Sequence, residues 1–174
     1  MGDYEQLVLA MEAEMEDNAR LIERFYEAFA QKDHQTMASS YAPQATFSDP
    51  VFRDLDHART IAMWKMFCTG SKDLAVTSSE IQGTPTGGRA RWDAHYTFPK
   101  TGRKVHNIIH ASFDIEGGRI VRHEDRFDFY RWTRMALGPT GTALGWSSLV
   151  QNKVRQTAAS QLEKFMAAED PSKP

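Results

Sequence analysis

A single cysteine, Cys68, excludes an internal disulfide and any metal site built from several cysteines. It fits a reducing compartment, so a cytoplasmic location is expected. An excess of one charge is also missing. The formal net charge is −2 with no basic stripe, so no nucleic-acid partner is expected. No apolar run approaches the ~20 residues that span a bilayer, and the acidic start, Met-Gly-Asp-Tyr-Glu-Gln, lacks an apolar signal core. No membrane partner is therefore expected. Internal repeats and low-complexity segments are lacking too, and only Glu169 to Pro174 reads as a loose tail. What remains, at 174 residues, is one domain large enough for a core without covalent staples.

Helical spacing dominates the first third. Leu7, Val8, Met11 and Met15 form a weak apolar stripe, and Leu21, Ile22, Phe25, Tyr26 and Phe29 a strong one. Asp33 has the place of an N-cap for a short helix reaching Tyr41, which Pro43 ends. A brief strand at Ala45–Ser48, a helix from Asp56 to about Cys68 and a strand at Leu74–Ile81 follow. The chain then reads as a meander of strands at Ala90–Phe98, Lys104–Ile115 and Ile120–Phe129, broken by Pro99-Lys100-Thr101-Gly102 and Gly117-Gly118. A final amphipathic helix runs from about Ser147 to Met166. Helices followed by a curved antiparallel sheet predict an α+β cone, with the N-terminal helices on its concave side and an extra C-terminal helix.

The meander holds the residues with chemical potential. Arg91, Asp93 and His95 alternate with Trp92, Ala94 and Tyr96. With a four-residue loop at Pro99–Gly102, Arg91 pairs with His110 and His95 with His106; with a two-residue turn at Gly117-Gly118, Ser112 pairs with His123 and His110 with Asp125. This register collects Arg91, Asp93, His95, His106, His110, His123 and Asp125 on one face. An arginine between two carboxylates lets one accept a proton while the other donates. Metal is not expected: His106 and His110 are four apart on a strand, roughly 13 Å, too far for one ion. The opposite face, with Trp92, Tyr96, Ile109 and Phe113, is apolar and needs cover, so a homodimer through the outer sheet face is expected. Aromatic walls and no phosphate cradle point to a compact, apolar organic substrate.

Leu21-Ile22-Glu23-Arg24-Phe25-Tyr26-Glu27-Ala28-Phe29, followed by Tyr41-Ala42-Pro43-Gln44-Ala45-Thr46-Phe47-Ser48-Asp49-Pro50, resembles the opening of the nuclear transport factor 2-like (cystatin-like) superfamily. Gly118-Arg119-Ile120-Val121 leading to Asp125-Arg126-Phe127-Asp128 resembles its closing hairpin. The resemblance covers about residues 18–132. It divides the chain into a helical extension (1–17), a SnoaL-like domain (18–132), and a loop and helix packing on that domain (133–174). Arg91-Trp92-Asp93, the Pro99–Arg103 turn and Glu124-Asp125-Arg126-Phe127-Asp128 resemble limonene-epoxide-hydrolase-like members. That resemblance implies Asp125 as the base on water, Asp93 as the acid on the epoxide oxygen and Arg91 as their bridge. It implies no cofactor. Phe47 and Asp49 depart from it, standing where those members hold water with a tyrosine and an asparagine. Phe47-Ser48-Asp49-Pro50 is also similar to ketosteroid-isomerase-like members, which implies Asp49 as a base next to a carbonyl. There Phe25 has the donor's place and Tyr26 lies about 100° round the helix. SnoaL-like polyketide cyclases, which pair a histidine with an aspartate on neighbouring strands, would make His110 and Asp125 the working pair. A non-catalytic binding module of the same fold is the remaining reading.

Overall fold

A computed structural model of the chain describes residues 2–169. The tail expected beyond Glu169 lies outside the described residues. The two N-terminal stripes form one helix, α1 (Asp3–Ala30), whose first turn is closed by the Glu5 carboxylate accepting from the Gly2 amide. Its C-terminal half buries Leu21, Ile22, Phe25, Tyr26 and Phe29, whereas Tyr4, Leu7, Met11 and Met15 stay exposed. Asp33 caps α2 (His34–Ser39) by accepting from the Thr36 amide at 3.1 Å. The helix stops short of Tyr41, which opens β1 (Tyr41–Ser48). Pro43 therefore lies inside a strand. It is tolerated because β1 is an edge strand whose register shifts between Tyr41 and Thr46.

Helix α3 (His57–Gly70), capped by Asp56, leads into β2 (Ala75–Thr84), β3 (Gly87–Phe98), β4 (Arg103–Glu116) and β5 (Arg119–Arg126). The sheet order is β1-β5-β4-β3-β2, antiparallel except for the parallel β1–β5 pair. It is an α+β cone. Helix α1 crosses the β2–β3 hairpin at close quarters, since a Cβ on Gly83 would lie 1.8 Å from the Met15 carbonyl oxygen. The strand expected to reach Phe129 ends at Arg126 instead, because the Asp128 carboxylate accepts from the Arg131 amide and starts α4 (Phe129–Leu137). Helices α5 (Pro139–Leu144) and α6 (Ser148–Glu169) complete the chain. Helix α6 lies against α3. Leu162 enters the core, Arg59 pairs with Glu163 at 2.8 Å, Lys65 pairs with Glu169, and Arg155 donates to the Pro50 carbonyl at 2.9 Å.

Both turns of the meander form, and the pairings Phe98–Arg103, His95–His106, Arg91–His110 and Ile115–Ile120 are as the sequence predicts. The expected pairings Ser112–His123 and His110–Asp125 are not. A bulge at Val121 leaves Asp114 opposite Arg122, so Phe113 faces His123 and Ala111 faces Asp125. One extra residue reverses every later side chain. His123 and Asp125 consequently point inward, away from Arg91, Asp93, His95, His106 and His110. The apolar residues expected to need a second subunit are also on the helix-covered side. Trp92 packs on Phe29 and Tyr26, and Phe113 on Phe25. The outer face is charged rather than apolar, which removes the reason for expecting a dimer there.

Candidate active site

Inside the cone, the three elements α3, β1 and β5 bring together a single file of polar atoms. Trp64 Nε1 donates to the Tyr41 hydroxyl at 2.9 Å, Tyr41 bonds His123 Nδ1 at 2.7 Å, and His123 Nε2 bonds Asp125 Oδ1 at 3.0 Å. One polarity places every hydrogen of the file in a bond. Indole N–H can only donate, so Tyr41 accepts from it and passes its own proton towards Nδ1. Nδ1 is then the acceptor, and Nε2 carries the hydrogen that goes to Asp125. His123 and Asp125 are 1% and 3% exposed, and the rings of Phe47, Phe113 and Trp64 enclose the imidazole. Trp92 Nε1 approaches the same Asp125 oxygen at a longer 3.4 Å. The other carboxylate oxygen, Oδ2, has no partner among the described residues.

Asp49, just after β1, is the second carboxyl of this interior. Its Oδ1 accepts from the Val51 and Phe52 amides at 2.6 and 2.5 Å, an Asx-type turn that fixes the side chain. Burial pushes its carboxyl up to about 7. The Asp125 charge adds to the rise, and the two amides oppose it. Two tyrosines complete the set. The Tyr26 hydroxyl is buried without a hydrogen-bond partner among the described residues, and it feels the Asp125 charge. The Tyr96 hydroxyl accepts from Trp132 Nε1 at 2.8 Å and feels that of Asp49. Burial raises both phenols, so each remains an O–H donor. Tyr26 therefore serves the interior directly despite its offset from the Phe25 position. A groove of about 500 Å³ between the 51–56 loop and α6 opens beside the Asp49 turn, bounded by Val51, Phe52, Arg155 and Leu162.

The remaining predicted residues form a separate cluster outside. Arg91 holds Asp93 through two contacts of 3.1 and 3.2 Å, and His106 Nε2 reaches Asp93 Oδ1 at 2.8 Å. The Arg91 guanidinium, then His106, keep the Asp93 carboxyl below the usual carboxylate range. His95 stacks on His106 at 4.0 Å, and His110 is exposed. Among the described residues no three His, Cys, Asp or Glu side chains converge in a way that could hold a metal. Arg91 and Asp93 thus lie across the sheet from Asp125, and His110 is on the wrong side to pair with it. Sequence reasoning missed Tyr41, Trp64, Trp92 and Tyr96. Their aromatic spacing marks them as core; the parallel β1–β5 pairing, Phe47 beside His123, brings Tyr41 and Trp64 to the imidazole, the β4–β5 bulge brings Asp125 to Trp92, and α4 brings Trp132 to Tyr96.

Residues 22–123 match the profile of the SnoaL-like domain family. No curated protein matches the sequence. Among solved structures, an LEH-like epoxide hydrolase from M. tuberculosis is similar at 18% identity and a TM-score of 0.59, covering 79% of this chain and 97% of that one. IdmH from Streptomyces antibioticus, provisionally assigned as a polyketide cyclase, is similar at 22% identity and a TM-score of 0.59, over 68% of this chain and 96% of that one. A protein from Jannaschia sp. CCS1, provisionally assigned as a SnoaL-like polyketide cyclase, reaches a TM-score of 0.63 at 11% identity, over 72% and 94%. At these identities the likeness establishes the fold.

Proposed function

This chain belongs to the SnoaL-like family, and we propose that its cone interior is an acid–base site for proton transfer next to a carbonyl in a compact, apolar substrate. The file from Trp64 to Asp125 carries the proposal, because it spends one carboxylate oxygen on orientation and leaves Oδ2 of Asp125 as a positioned base. Asp125 takes the proton from carbon, and the C–H electrons become the enolate. Asp49, protonated near neutrality, gives its proton or hydrogen bond to the carbonyl oxygen, with the Tyr26 and Tyr96 hydroxyls as further donors. Returning the proton to a different carbon is an isomerisation. Attack of the enolate carbon on a second carbonyl breaks that carbonyl's π bond, forms a carbon–carbon bond and closes a ring, and the new alkoxide takes the proton that Asp125 removed. Neither needs a metal or an organic cofactor.

The epoxide-hydrolase roles for Arg91 and Asp93 are not supported, since both lie across the sheet from Asp125. The interior pair could still open an epoxide, with Asp125 activating water and Asp49 protonating the oxygen. One experiment separates the readings. A panel of cyclic ketones, 1,3-diketones and aryl epoxides is incubated in deuterium oxide and followed by NMR. Deuterium entering the carbon beside the carbonyl, slowed on the order of 10²–10⁴-fold in Asp125→Asn, is the expected result. Diol formation without such exchange would replace carbonyl chemistry by epoxide opening. Inertness across the panel would favour a binding role.

A further inference from the structure

A second pocket, of about 500 Å³, lies at the β3–β4 turn against α4 and is lined by Arg103, Lys104, Arg131, Arg134, Met135 and Thr142. Lys104 pairs with Asp73 at 3.1 Å. Arg103, Arg131 and Arg134 have no carboxylate within 4.0 Å among the described residues. Three arginines lining one space, in a chain whose net charge is −2, gather positive charge that an anion would offset.

Arg103 and Arg131 are placed by main-chain groups that take up hydrogen bonds without cancelling charge, and Arg134 by an aromatic ring. Arg103 Nε donates to the Met135 carbonyl at 2.8 Å, and Arg131 Nη1 to the His106 carbonyl at 2.8 Å. Arg134 stands over the Tyr130 ring at 5.7 Å. Gly138, at φ 62°, passes the Arg103 guanidinium so closely that a Cβ there would meet it at 3.0 Å. Each guanidinium bound to a carbonyl keeps further N–H groups for a ligand.

We infer that this pocket is a binding site for a phosphate-type dianion carried on a larger molecule. Three forked cations match the several oxygens of a phosphate better than the two of a carboxylate, and the volume exceeds that of phosphate alone. The site shares none of its lining residues with the interior described above.

Calorimetric titration with inorganic phosphate and with pyrophosphate, at ionic strength held constant with sodium chloride, tests the inference. Saturable binding at one site per chain is expected, weakened about tenfold or more in Arg103→Gln/Arg134→Gln. Arg126→Gln removes an exposed arginine that already pairs with Glu124, and should stay within about twofold of wild type. Arg134→Gln alone, at an exposed position, repeats the test should the double variant fold poorly. Phosphatidic-acid vesicles that compete with free phosphate would identify a lipid headgroup as its source. Vesicles that do not compete would identify a soluble phosphate. Unsaturable heats, or equal losses in Arg126→Gln, would overturn the inference.

Discussion

Tyr41 accepts from Trp64 and donates to His123 within a fully buried file, so its hydroxyl satisfies two groups at once. Tyr41→Phe leaves an indole N–H and an imidazole nitrogen unpaired, at about 1–3 kcal/mol each. Urea unfolding should show a loss of roughly 2–6 kcal/mol; a loss under about 1 kcal/mol would mean the file is not formed. Asp49 gives a pH signature. Its folded carboxyl sits at about 7, against roughly 4 for the unfolded chain, so the unfolded state releases its proton first. The stability linked to Asp49 is complete below about pH 4 and is lost as pH rises through about 7. Asp49→Asn should therefore match wild type near pH 4 and exceed it at pH 8, on the order of 2–3 kcal/mol after allowance for partial exposure. Parallel stability curves would contradict a raised carboxyl. By the same logic turnover falls above about pH 7 as Asp49 loses the proton it donates. Asp49 and Asp125 were both legible as chemical residues, because an Asp-Pro turn and an aspartate in a strand stand out. Tyr41 and Trp64 were not, since a buried aromatic in an apolar stripe looks the same whether or not its polar tip is used.

At the scale of elements, the bulge at Val121 decides which residues share a space. Turn chemistry at Gly117-Gly118 and Pro99–Gly102 was readable, and with it the whole β3–β4 register. The bulge was not, because nothing in Arg119-Ile120-Val121-Arg122 distinguishes a regular strand from one with an extra residue. That single slip moved His123 and Asp125 from the charged face to the interior and separated the expected triad. Helix α6 was readable as a helix, but its docking was not. Its hold on the core rests on Leu162, 1% exposed, rather than on the surface pair Arg59–Glu163. Leu162→Ala should cost about 2–5 kcal/mol, whereas Glu163→Ala should cost at most about 1 kcal/mol. Thermal or urea unfolding of the two variants checks the ordering, and a larger effect for Glu163 would contradict it.

Across the whole molecule, the order of helices and strands was enough to predict the cone, since amphipathic helices ahead of a meander have few ways to bury their stripes. Sidedness was harder. Both faces of β3 and β4 carry some apolar residues, and the sequence does not say which face the helices take. They take the face of Trp92, Ile109 and Phe113, leaving Arg91, Asp93, His95, His106 and His110 outside. Catalysis by the interior and catalysis by the outer cluster are therefore competing descriptions of one protein, and a paired comparison tells them apart. Turnover of the best substrate from the ketone and epoxide panel is measured for Arg91→Gln, Asp93→Asn and Asp125→Asn. The interior account predicts that the first two stay within a fewfold of wild type while Asp125→Asn loses on the order of 10²-fold or more. Equal collapse in all three would contradict it and reinstate Arg91 and Asp93 as partners of Asp125.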